Sequence, residues 1–80
     1  MVESYNAYVL RRTKQKDYWR GYRFRSKNIT RYFSKNLLDA QVFSKPGSLR
    51  GTCTQKGIDW KDPHFEIVQI TITWEIKENE

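Results

Sequence analysis

Eighty residues with 15 Lys/Arg, 9 Asp/Glu and one histidine carry a formal net charge of +6. A chain this short makes one domain, residues 1–80, with a small core; it has no apolar run that would span a membrane and no basic-then-apolar leader. The lone cysteine, Cys53, excludes an internal disulfide and fits a reducing, cytoplasmic compartment.

Met1 to Ser4 reads as a lead-in that frays, as does the tail from residue 77 to 80. Tyr5 to Leu10 is the first predicted strand. Neither of its faces is cleanly polar, which places it in the interior of a sheet. Thr13 to Asp17 has the length and polarity of a hairpin loop. Tyr18 to Arg25 reads as a second strand, with Tyr18, Arg20, Tyr22 and Phe24 on one side and Trp19, Gly21, Arg23 and Arg25 on the other. Gly21 inside it implies a bulge or a close approach by another backbone. Ile29 to Phe33 fits a third short strand or an ordered loop. Asn36 is placed to cap one helical turn over Leu37 to Ala40.

Ser44 is placed to cap a helix beginning at Lys45, with Pro46 in its first turn and Gly57 as a left-handed stop. Leu49 and Cys53, four residues apart, then face the sheet together. Asp62-Pro63 marks a loop, and Trp60 before it is placed to close one end of the core or to anchor an interface. From Phe65 to Ile76 the apolar residues Val68, Ile70, Ile72, Trp74 and Ile76 alternate with Gln69, Thr71, Thr73 and Glu75. That pattern is a long strand with one buried face. The sum is an α+β fold: a single small antiparallel β-sheet with one short helix packed on one face.

Charge is unevenly placed. Ten Lys/Arg between Arg11 and Lys35 stand against the single Asp17, whereas Asp59 to Glu80 holds two lysines and six acids. The amino-terminal half therefore suits a polyanion or an acidic protein surface, and part of its charge can pair with the acidic half. The strongest local signal is Tyr18-Trp19-Arg20-Gly21-Tyr22-Arg23-Phe24-Arg25, where aromatics that can stack on bases alternate with arginines that can pair phosphates. Trp19, Arg20, Tyr22, Arg23 and Arg25, with Arg31 downstream, are the candidate binding residues. The run shares a basic residue, a glycine and two aromatics with the RNP1 strand of RNA-recognition motifs. No RNP2 strand accompanies it and the order of elements differs, which excludes that family. One histidine and one cysteine leave no catalytic set or metal site to name, and no glycine-rich phosphate loop follows a strand. No enzyme activity, metal or cofactor is expected.

Tyr8-Val9-Leu10-Arg11, Tyr18-Trp19-Arg20-Gly21, Asp39-Ala40-Gln41-Val42-Phe43-Ser44-Lys45 with Ser48-Leu49, and Phe65-Glu66-Ile67-Val68-Gln69-Ile70 together cover most of the chain. This layout resembles small proteins of bacteriophages and mobile elements in which a hairpin precedes an A-x-V-F segment, a short helix and a final E-I-V strand. Some small phage proteins of this size inhibit host machinery, anti-CRISPR proteins among them. The resemblance implies a non-enzymatic protein that binds a host protein or nucleoprotein in the host cytoplasm. Direct, sequence-nonspecific binding of single-stranded nucleic acid or RNA through 18–25 is the alternative. A homodimer joined at a sheet edge is a further expectation, favoured by the small core and the long last strand.

Overall fold

The computed structural model describes residues 2–75. Its longest elements come from the two stretches of alternating side chains. Strands β1 (Val2–Arg12) and β4 (Phe65–Glu75) run antiparallel in unbroken register, from Val2 opposite Glu75 to Arg12 opposite Phe65. The two-residue strands β2 (Tyr18–Trp19) and β3 (Phe33–Ser34) complete the sheet in the order β3-β2-β1-β4, so β1 is interior, as its mixed faces imply. With the helix α1 (Pro46–Gln55) this is the α+β architecture read from the sequence. No helix among the described residues is long and apolar enough to cross a membrane. β1 takes in Val2 to Ser4, read above as a fraying lead-in, because Glu3 and Ser4 pair with Trp74 and Thr73. Ile76 and the tail fall outside the described residues.

The core lies on the sheet face that carries Leu10. It joins Leu10, Trp19, Tyr32, Phe33, Leu49, Cys53 and Ile58, with Phe65 and Ile67 of β4 packed against them. Leu49 and Cys53 enter it from α1, as their spacing requires. Trp60 packs against the same cluster with Arg50 and Lys61 each 5.3 Å from its ring. The regular stripe of β4 points the other way. Val68, Ile70 and Ile72 stand opposite Val9, Ala7 and Tyr5, on the face away from α1, and are only half-buried. The strand's most regular apolar side is thus not its helix side, which corrects the expectation of one buried face. The helix instead follows Leu10, whose cross-strand partner is Ile67.

At the carboxy-terminal end of β1, two residues beyond Leu10, Arg12 and Asp17 form a buried pair across the hairpin turn. Arg12 Nε donates to Asp17 Oδ1 at 2.7 Å and Nη2 pairs with Oδ2. Arg12 Nη1 donates to Thr30 Oγ1 at 3.3 Å, and the guanidinium carbon lies 4.7 Å from the centre of the Phe33 ring. These bonds to Asp17 push the Arg12 pKa up. The basic and acidic halves also meet on the other face, where Arg11 Nε donates to Glu66 at 2.7 Å and Lys16 lies 3.5 Å from the same carboxylate.

Helix α1 begins at Pro46, with Lys45 at its cap and no side-chain cap bond, so Ser44 does not cap it. Proline at the first helical position supplies the pre-set φ, and its missing N–H removes one of the unpaired donors of the first turn. The helix ends as expected on Gly57 (φ 72°): Ile58 N–H donates to Cys53 C=O at 2.8 Å, Gly57 N–H to Thr54 C=O at 3.1 Å, and Ile58 is buried. This is the Schellman arrangement, and it folds Ile58 back onto the core. Ile29–Tyr32 is a 3-10 turn capped by Asn28, not a strand; Asn36 caps the short turn Leu37–Asp39 as read.

Burial of Cys53 raises its thiol pKa to about 11. Since the thiolate is the reacting species, the native thiol is expected to react with Ellman's reagent at pH 8 about a hundredfold or more slowly than a free cysteine. Full reactivity should return in denaturant. A native rate equal to the denatured rate would show that Cys53 is not in the core.

Candidate functional site

The run from Trp19 to Arg25 leaves the sheet after two residues. Tyr18 and Trp19 pair with Ser34 and Phe33, and Arg20 N–H donates to Tyr32 C=O at 2.9 Å. At Gly21 the chain then turns with φ +95°, a conformation that L side chains rarely adopt. Space is tight there as well: a Cβ on Gly21 would lie 2.6 Å from Gln41 Oε1 and 3.2 Å from Gln41 Cβ, so the Gln41 side chain would have to move. Lys56 Nζ donates to the Gly21 carbonyl, and the Trp19 indole N–H donates to Tyr22 C=O at 2.9 Å, so the bend is tied to α1 and to the core. The predicted strand Tyr18–Arg25 is therefore corrected to Tyr18–Trp19 and an extended loop. Gly21 does sit at a close approach, but it is the Gln41 side chain and not another backbone that fills the space.

Beyond the bend, Phe24 turns inward. Its ring stacks on Tyr32 at 5.3 Å and lies within 6.3 Å of Phe33 and Phe65. Arg25 N–H donates to the Tyr32 hydroxyl at 2.9 Å, and this bond is the main reason that the Tyr32 pKa is lowered. Anchored through Phe24, the loop holds its neighbours outward. Arg20, Tyr22, Arg23, Arg25, Arg31 and Tyr32 line one cleft of about 320 Å³. Arg20 lies over the Tyr22 ring at 5.3 Å and Arg31 over the Tyr32 ring at 5.6 Å. Arg23 Nη2 donates to the Gln55 carbonyl at 3.1 Å. Among the described residues none of these four arginines forms an ion pair with a carboxylate.

Five of the six residues singled out from the sequence thus meet in one place. The exception is Trp19, which is fully buried, stacked against Phe43 at 6.3 Å with the Lys56 ammonium 5.5 Å from its ring. Tyr22, on the opposite side of the alternation, is 54% exposed. Sequence reading missed Tyr32, which both lines the cleft and anchors the loop. Its signal was the Arg31-Tyr32-Phe33 triplet, a second basic–aromatic alternation beside the first.

Fixed positive charge beside aromatic surface equips the cleft to hold an anion that also presents a flat group, by guanidinium hydrogen bonds and stacking. Among the described residues no three His, Cys, Asp or Glu side chains cluster as metal ligands. Comparison of the chain with protein-family models, with curated proteins and with solved structures finds no significant match.

Gly21→Ala is expected to lower the unfolding free energy by about 2 kcal/mol or more, from left-handed backbone strain and the displaced Gln41. Urea unfolding measures it; an unchanged midpoint would show that the bend is not fixed by glycine.

Proposed function

We propose that the chain is a small non-enzymatic binding protein that grips single-stranded nucleic acid, bare or within a host nucleoprotein, through the arginine cleft. The observation that carries this reading is the convergence of four arginines free of carboxylate partners among the described residues on one cleft with an exposed tyrosine. Guanidinium forks match phosphate oxygens in geometry, and an exposed ring accepts any base by its face. Occupying nucleic acid that host machinery needs is an inhibitor's mode of action, and it fits the resemblance to phage and mobile-element proteins. The buried thiol of Cys53 suits the reducing cytoplasm in which such a protein would work.

An acidic host protein surface is the second reading, because Tyr22 among arginines also has the make-up of an interface hot spot. Fluorescence anisotropy with labelled mixed-sequence single-stranded RNA and DNA across a salt series separates the two. Binding is expected to weaken with salt, with a log–log slope of about −2 to −3 for three or four phosphates, and Arg25→Ala or Arg31→Ala should each remove about 0.7 of that slope. Absence of binding at low salt, or affinity unchanged in both variants, would overturn the nucleic-acid reading and leave the acidic protein surface.

A further inference from the structure

We infer that the outer edge of β4 is a self-recognition surface through which two copies of the chain join antiparallel into one continuous sheet. Within the described residues β4 pairs only with β1, so alternate backbone N–H and C=O groups along its other side have no strand to meet. Monomeric proteins blunt such edges with charge, proline, bulges or brevity. The opposite edge, β3, is blunted by being two residues long. Between Glu66 and Glu75 the edge of β4 has none of these devices: Ile67 to Trp74 is an unbroken run of eight residues without a charge, a proline or a glycine.

The face flanking this edge is also incompletely covered. Leu37, Leu38 and Val42 lean towards Ile70 and Ile72 but leave an apolar groove of about 330 Å³, with Leu38 91% exposed. At its far end Tyr5 and Trp74 pack edge to face at 5.2 Å, and Trp74 remains 40% exposed.

A second copy fits this edge because the strand is complementary to itself. With a two-fold axis at Ile70, Ile70 meets its own counterpart, Val68 meets Ile72 and Glu66 meets Trp74 on the groove face. On the helix face Gln69 meets Thr71 and Ile67 meets Thr73. No like charges oppose each other, whereas parallel in-register pairing would set Glu66 against Glu66 and Glu75 against Glu75. Such an isologous contact makes the apolar stripes of the two copies continuous on one face. The charge distribution agrees. The arginine cleft is built on the β2–β3 side of the sheet, so the basic patches lie outermost when the β4 edges approach. The joined pair would then present two clefts to one strand of nucleic acid.

Sedimentation velocity of the full chain without nucleic acid, from low micromolar to submillimolar, tests this. The wild type is expected to approach twice its 9.7 kDa chain mass at the upper end and to return to the chain mass on dilution. Gln69→Lys/Thr71→Lys places charges at exposed edge positions and should hold the chain at monomer mass, with unchanged circular dichroism and urea midpoint. Thr71→Lys/Thr73→Lys should do the same, whereas Arg23→Ala/Arg25→Ala should still dimerise. A wild type that stays monomeric at submillimolar concentration, or a dimer that survives both folded lysine variants, would overturn the inference.

Discussion

Burying a guanidinium and a carboxylate removes both from water, which costs several kcal/mol per ion unless the pair recovers it by close, saturated bonding. The Arg12–Asp17 pair meets that condition by being bidentate and by drawing in Thr30 and Phe33. Its members sit where four parts of the chain converge: Arg12 closes β1, Asp17 precedes β2, Thr30 lies in the 3-10 turn and Phe33 opens β3. One charged group thereby fixes the hairpin turn, the short strands and the turn that carries Arg31 and Tyr32. In a domain where β2 and β3 are only two residues long, ladder hydrogen bonds alone supply little of that register.

The cleft inherits its shape from this scaffold. Tyr32 is held between Phe24 and the Arg25 amide, Trp19 is locked under Lys56 and Phe43, and Gly21 lets the chain swing away from the sheet between them. The bend converts an alternation that would have divided its arginines between two faces into a loop that gathers them at one site. Function in this reading follows from leaving the sheet, not from belonging to it.

The long strand β4, the interior position of β1, the paired burial of Leu49 and Cys53, the Gly57 stop and the Asn36 cap were legible because each rests on local chemistry: a period, a spacing, a cap. The arginine cluster was legible as composition, since five of its residues fall within a dozen positions. What sequence could not supply was the decision at Gly21. A glycine in an alternating run is compatible with a bulge or an exit, and the choice depends on Gln41, twenty residues away, filling the space of a missing Cβ. The gathering of Arg20 with Arg23 and Arg25 on one side follows from that single bend. The side of β4 that takes the helix was hidden for a similar reason: Ile67 and Phe65 break no pattern, and only the register with Leu10 and Arg12 assigns them to the core. The Arg12–Asp17 pair was invisible as well, because in sequence it is one basic residue of ten and the lone acid of a polar turn.

If that buried pair organises the domain, its two members must act as a unit. A double-mutant cycle of Arg12→Met and Asp17→Asn in urea unfolding measures this most directly. Each single substitution should lower the unfolding free energy by about 3–5 kcal/mol, since it strands a buried charge or an unpaired partner. The double variant should lose much less than the sum, with a coupling of about 2 kcal/mol or more. Single losses below about 1 kcal/mol, or losses that add within about 0.5 kcal/mol, would show that the turn and the cleft are held by something other than this pair.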